Sequence, residues 1–367
     1  MPISAADSIT PAFRHTTQQL LKPFRLGQWT RLAFVGFLAG ELGSGGSCNF
    51  SKPFRTPQGG DTQNPLGLGF PSIDPGLLAG MIAVLIVTGI VFGLIFMYVN
   101  SVMRFTLFDS VLEKNCSICR GWTRRQGEGW RYFLWQLGFM LATGFGAVVL
   151  LGIPAAFAFA LGWFREPKQH LLGWILGGIV VFFVMAVFFI TAAVIHVLTK
   201  DFVVPQMALE NIGVVEGWRR LWAMMQAERG GYAGYVGMKI LLAIVAGIAV
   251  AIVSVILAVV VAIPAIVLGI VAVITGKTAG LTWDVFTITA AVVVGSILLA
   301  IFFYVVSLIS VPVIVFFPAY SIYFFASRYP PLYSVLYPAP PQTSVLPAVI
   351  PPPENLPPLP PPATAGI

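Results

Sequence analysis

Charge is scarce in this sequence. Asp, Glu, Lys and Arg make up 10% of 367 residues, hydrophobic residues make up 57%, and the mean hydropathy is +0.88. A water-facing globule carries roughly 25% charged residues, so that class is excluded. There are three cysteines, Cys48, Cys116 and Cys119, too few for a disulfide framework. Cys116-Ser117-Ile118-Cys119 has the spacing of a redox motif or half a zinc site, but no second pair or nearby histidine completes it. Both thiols are expected on the buried face of one interfacial helix. There is no Gly-rich phosphate loop, no His-Glu-x-x-His, no Gly-x-Ser-x-Gly and no intramembrane Asp pair. ATP-driven transport by this chain alone, metalloprotease and serine hydrolase chemistry lose support. The expectation is a non-enzymatic protein with no metal and no cofactor. A cleavable signal peptide is not expected either, since the first apolar stretch begins near Leu32. Gly45-Gly46-Ser47-Cys48 lacks the Leu or Val of a lipoprotein box.

What is present is apolar sequence in long blocks. Gly76–Tyr98, Phe133–Phe164, Leu171–Val197, Ile240–Gly276 and Val285–Ser327 contain no Asp, Glu, Lys or Arg. About 20 such residues cross the hydrocarbon core as a helix. The alternating strands of an outer-membrane barrel are absent. Leu32–Gly43, short and carrying Glu41, is the candidate for a sixth crossing. The fold expected is therefore all-α, with about six transmembrane helices.

Net charge is +7 and the pI about 9.5. The basic residues flank apolar spans, which points to anionic lipid and topology rather than nucleic acid. Residues 1–31 hold four Lys or Arg, 99–132 six and 199–239 five, with Arg328 beyond; the intervening loops hold five. The positive-inside bias then places both termini in the cytoplasm, in a bacterial inner membrane. A five-span chain with an external N-terminus is the alternative.

A short pattern recurs. Gly27-Gln28-Trp29-Thr30-Arg31, Gly121-Trp122-Thr123-Arg124 and Gly217-Trp218-Arg219-Arg220 place tryptophans at 29, 122 and 218. A second landmark follows each: Phe105-Thr106-Leu107-Phe108, Phe202-Val203-Val204-Pro205 and Val315-Phe316-Phe317-Pro318. The pattern predicts a membrane domain, 26–326, of three parallel helical hairpins at about 26–113, 120–210 and 216–326, with 1–25 preceding it on the cytoplasmic side. In the third unit, Pro264 and Pro312 are expected to break over-long apolar runs.

The Gly-Trp-Arg segments suit interfacial amphipathic helices. In 210–226, Val214, Val215, Trp218, Leu221, Trp222 and Met225 share a face, with Glu216, Arg219, Arg220 and Gln226 opposite. Indoles belong at the interface and guanidinium groups at phosphate, so Trp29, Arg31, Trp122, Arg124, Trp218, Arg219, Arg220 and Trp222 are the candidate lipid contacts. Anchoring of helix ends by an aromatic belt is the plainer reading of the same residues. Gly89-x-x-x-Gly93 and Gly173-x-x-x-Gly177 read as helix-packing seams. His196 reads as a snorkelling or interhelical bonding group. Glu41 and Asp284 read as solvated helix-end acids at the outer boundary. Residues 327–367 are Pro-rich, as in Leu356-Pro357-Pro358-Leu359-Pro360-Pro361-Pro362, and predict a disordered cytoplasmic tail.

Gly-Trp-x-Arg segments paired with returning Phe-x-x-Pro helices resemble the bacterial membrane domains that accompany glycerophosphodiester phosphodiesterases, over roughly residues 20–326. The resemblance implies a lipid-linked or accessory role. Two functions follow as expectations: a scaffold binding membrane lipids, or a protein partner through the Pro-rich tail; or a transporter or flippase-like channel between the units, with Gln136, His196 and Thr191 lining its path.

Overall fold

A computed structural model of the chain describes residues 3–22, 24–41, 75–163, 170–278 and 285–338. Among them there is helix and no strand. The order is α1 (Ile9–Leu21), α2 (Leu26–Leu38), α3 (Pro75–Leu112), α4 (Ile118–Ala160), α5 (Leu171–Leu198), a π-helical turn (Thr199–Val203) running into α6 (Val204–Glu210), α7 (Val214–Ala227), α8 (Arg229–Thr278), α9 (Val285–Ala326) and α10 (Pro330–Leu336).

Among the described residues, five helices are long and apolar enough to cross a bilayer: α3, α4, the α5–α6 rod, α8 and α9. This is an all-helical, multi-pass membrane protein. α2 has 13 residues, about 20 Å of helix against about 30 Å of hydrocarbon. The expected sixth crossing, 32–43, is described only as far as Glu41, and 42–74 lie outside the described residues.

Pro264 and Pro312 were expected to break their helices, and they do not. α8 runs unbroken through Pro264, and α9 through Pro312 and Pro318. Val313–Phe325 accordingly continues α9. A proline removes one helical hydrogen bond, but in lipid abandoning the helix would expose many more backbone groups.

The packed core occupies one end of the bundle. It contains the C-terminal turns of α3, α5 and α9, the N-terminal turns of α4 and α8, and parts of α1, α2, α6, α7 and α10. Phe105, Tyr132, Phe202, Tyr235, Tyr320 and Phe324 are all fully buried there. The apolar stretches beyond it are exposed, as at Leu85 and Phe92 of α3 or Val255 and Val260 of α8. Surface of that kind belongs against lipid tails.

Helices approach closely where one side offers no Cβ. A Cβ on Gly121 would stand 2.5 Å from Thr106 of α3, and one on Gly217 2.7 Å from Val203. A Cβ on Gly36 would stand 2.5 Å from Ile314 of α9. α1 is docked by polar contacts: His15 Nε2 donates to the Val111 carbonyl at 2.8 Å, and Gln19 Nε2 to that of Ser110 at 2.9 Å.

Residues 327–338, expected in the disordered tail, are instead packed on the core. Arg328 grips Glu228 at 2.7 and 2.8 Å, with its guanidinium 3.9 Å from the Phe324 ring centre. Tyr329 is buried and Leu332, in α10, is fully buried. Residues 339–367 lie outside the described residues.

Candidate functional site

Where α2 ends, the backbone turns into the left-handed region at Gly40, φ +73°. The Glu41 amide then donates to the Gly36 carbonyl at 2.9 Å and the Gly40 amide to that of Phe37 at 3.1 Å. This is the Schellman arrangement that consumes orphan helix carbonyls. Only glycine suits it, because a Cβ at Gly40 would also lie 2.8 Å from Asn100 Nδ2. Asn100 takes the Leu38 carbonyl at 2.9 Å and Arg104 that of Ala39 at 3.2 Å. At the other end of α2, Gln28 Nε2 donates to the Lys114 carbonyl at 3.0 Å. α2 therefore lies antiparallel along the last turns of α3, and its cap delivers Glu41 into the core.

Glu41 pairs with Lys200, on the π-helical turn. That turn precedes Pro205, which has no N–H for the Asp201 carbonyl and would crowd it in a regular helix. The next residue, Asp201, binds Lys239 of α8 and accepts from the Tyr235 hydroxyl at 2.9 Å. Arg104 donates to the Tyr132 hydroxyl at 2.7 Å. The result is five charged side chains from the α2 cap, α3, the π turn and α8, none more than 14% exposed. Buried charge is tolerable only when paired and hydrogen-bonded.

Glu41 was expected at the outer boundary as a solvated acid. It is instead 4% exposed and ion-paired beside Arg104 and Asp201. The cause is the Gly40 cap, which turns the chain toward the core at the end of α2. Asp284 lies outside the described residues.

A cavity of about 630 Å³ opens from this cluster between α5 and α8. Arg104, Lys200, Lys239 and His196 form its polar side; Ile190, Val194, Val236 and Ile240 are among its apolar walls. Glu41 and Asp201 do not line it. They face a small pocket of about 30 Å³ behind, shared with Arg104 and Lys200. A second cavity of about 460 Å³ is lined by Gln136, Phe139, Thr143 and, again, His196. The expected association of Gln136 with His196 is thus present. Thr191 lines neither cavity; its hydroxyl donates to the Val187 carbonyl at 2.8 Å on an exposed face.

The eight interfacial candidates lie away from both cavities. Trp29 Nε1 donates to the Leu20 carbonyl at 3.0 Å, and Trp218 Nε1 to Thr199 Oγ1 at 3.1 Å. Trp122 meets the Tyr98 ring edge-on, with centres 6.0 Å apart. Those three indoles fix neighbouring elements. Arg31, Arg124, Arg219 and Trp222 are exposed. Arg124 reaches Glu113 at 3.5 Å and Arg219 reaches Glu216 at 2.6 Å, while Arg220 pairs with Glu210 and Glu216.

The two thiols do not share a buried face. Cys116 precedes the first turn of α4 and is buried, which pushes its thiol pKa up; Cys119, inside α4, is exposed. Among the described residues no group of His, Cys, Asp and Glu could hold a metal. Gly89 and Gly93 meet no neighbour, whereas a Cβ on Gly173 would stand 2.8 Å from Trp163.

Arg104, Lys200, Asp201 and Lys239 were missed as a cluster because three of them entered the loop charge count. The available signal was position: all four lie within helices long enough to span.

A family model described as a family of unknown function (DUF7544) matches residues 3–335. The chain belongs to this family. The match covers α1 through most of α10, including every residue of the charged cluster. No curated protein and no solved structure matches. The family model gives no support to the phosphodiesterase-associated resemblance, so the function must be argued from the site.

Proposed function

We propose that this member of the family is a non-enzymatic lipid-binding accessory protein of the bacterial cytoplasmic membrane, with both termini inside. The observation that carries the reading is the 630 Å³ cavity between α5 and α8, apolar on its walls and cationic at one end. A pocket with those two characters fits an amphiphile, and its size is that of ordinary small-molecule sites.

We place the cavity in a frame of three parallel units, each returning helix packing on the next outgoing one. Three contacts support this frame. Arg104, one residue before Phe105, bonds Tyr132 of α4; Asp201, one before Phe202, bonds Tyr235 of α8. Ile314, one before Val315, meets Gly36 of α2. The Pro-rich tail beyond residue 338 is the segment proposed to dock a protein partner.

A transporter or flippase-like channel is the second reading, favoured by the position of His196 on the rim of both cavities. A path through it would join them.

Native mass spectrometry of protein extracted in mild detergent tests the first reading. Wild type should carry lipid adducts, and Ala193→Trp and Ala243→Trp, which put an indole into the cavity, should lose them. Undiminished adducts in both variants would overturn the proposal. Lipid flux in reconstituted vesicles, abolished by the same substitutions, would move the assignment to the channel.

A further inference from the structure

Resting on that reading, we infer that the occupant is an amphiphile with a singly charged anionic head, phosphate or carboxylate, held by Arg104, Lys200 and Lys239. The first argument is the sorting of charge. Three cations border the 630 Å³ cavity, while both carboxylates of the cluster are turned to the small pocket behind. Each carboxylate engages one lysine, Glu41 with Lys200 and Asp201 with Lys239. Arg104 has no carboxylate within ion-pair distance among the described residues. With the acids ionised and the bases protonated, the five side chains carry one positive charge in excess.

The second argument is the state of Arg104. The residue is 7% exposed, and two of its nitrogens go to neutral oxygens, the Tyr132 hydroxyl and the Ala39 carbonyl. Its Nε has no hydrogen-bond partner. A buried guanidinium that feels the Glu41 and Asp201 charges but has no carboxylate in direct contact, and a spare donor, is incompletely satisfied. Its planar fork suits two oxygens of one phosphate or carboxylate. A single anion in the cavity would supply that contact and balance the cluster's one excess positive charge.

The third argument is depth. Arg104 lies eight residues before the last residue of α3, Leu112, about 12 Å along the helix. The head is drawn below the helix end, where Ile190, Val194, Val236 and Ile240 receive the chain. A free phosphate would satisfy the cations and leave those walls without a partner.

The experiment uses the full chain in nanodiscs and in mild detergent. Equimolar phosphatidylglycerol and phosphatidylcholine with identical acyl chains compete for it, read by native mass spectrometry. Phosphatidylglycerol should be enriched about ten-fold, as charge-assisted hydrogen bonds imply. The enrichment should vanish in Arg104→Gln and in Ala243→Glu, which sets a carboxylate in the cavity wall one turn from Lys239. Equal retention of both lipids by wild type would sink the inference and leave lipid binding standing. Retention of neither would sink both. Thermal protection by millimolar inorganic phosphate, with no preference between the lipids, would assign the site to a free anion and overturn the amphiphile. The wild-type comparison needs no variant to fold.

Discussion

Arg125 holds both carboxylate oxygens of Asp109, Nε and Nη2 each at 2.7 Å, while its Nη1 donates to the Ala208 carbonyl at 2.7 Å. One guanidinium, 5% exposed, thereby joins α4 to α3 and to the C-terminal end of α6. Arg125→Gln leaves Asp109 and the Ala208 carbonyl short of donors inside the core. Loss of one partner of a buried pair costs about 3–5 kcal/mol. Thermal unfolding in detergent should show a clear drop, and Arg125→Lys, lacking the fork, should recover only part of it. An unchanged melting temperature would mean that the three helices are held together otherwise.

The docking of α1 should depend on pH. Burial holds the His15 imidazole below its ordinary pKa of 6.5; the nearby Lys114 charge acts the same way, and the bond to the Val111 carbonyl opposes them. With Nε2 donating to that carbonyl, Nδ1 of the neutral ring faces the Tyr323 hydroxyl at 3.1 Å. Undocked, the ring protonates at about 6.5; docked, it resists. The contribution is therefore complete above pH 6.5 and is lost as pH falls through the lower, docked value. Protection of residues 9–21 against hydrogen exchange, corrected for the intrinsic pH dependence of the exchange rate, should fall between pH 7.5 and 5.5, and His15→Gln should flatten the response.

Thiol reactivity should divide the two cysteines of the Cys-x-x-Cys segment. In a Cys48→Ser background, Cys119 should react with maleimide readily, being exposed, and Cys116 slowly, being buried with a raised pKa. Equal rates would place both on the surface. A disulfide between them under mild oxidant would contradict their separation into buried and exposed sites.

The boundary of the folded domain can be tested by truncation. Removing residues 339–367 should leave the melting temperature within about a degree, since a Pro-rich segment of this composition is expected to add no core packing. Removing 329–367 takes away Tyr329 and the fully buried Leu332. Leu332→Ala alone should cost about 2–5 kcal/mol. If both truncations melt alike, α10 is not part of the core.

Composition made the membrane helices legible, because residues such as Leu85 and Val260 have only lipid to face. The landmarks at Phe105 and Phe202 were legible too: both rings are fully buried, and Gly121 and Gly217 seat against the residues that follow them, Thr106 and Val203. What escaped was the interior charge. Lys200 and Lys239 look like interfacial anchors in sequence, and only the fold reveals that each has a carboxylate at its amine. Glu41 escaped because its destination depends on one left-handed glycine rather than on hydropathy. Pro264 and Pro312 misled for a different reason: their cost is set by the alternative open to the chain, and in lipid a broken helix is the worse alternative.

The π-helical turn at Thr199–Val203 has a consequence for register. A turn closed by i→i+5 bonds takes up about one residue more than an α-turn, which rotates everything downstream by roughly 100° about the rod axis. Lys200 and Asp201 are neighbours in sequence, yet they reach partners on different helices, Glu41 after α2 and Lys239 of α8. Deleting one residue from this turn would leave a continuous helix, but with its two ends out of phase. Either Lys200 or Asp201 would then miss its partner, or α6 would present a different side to α3 and α7. The extra residue works as a phase setter, fixing the angular relation between a membrane-spanning rod and the core at its end.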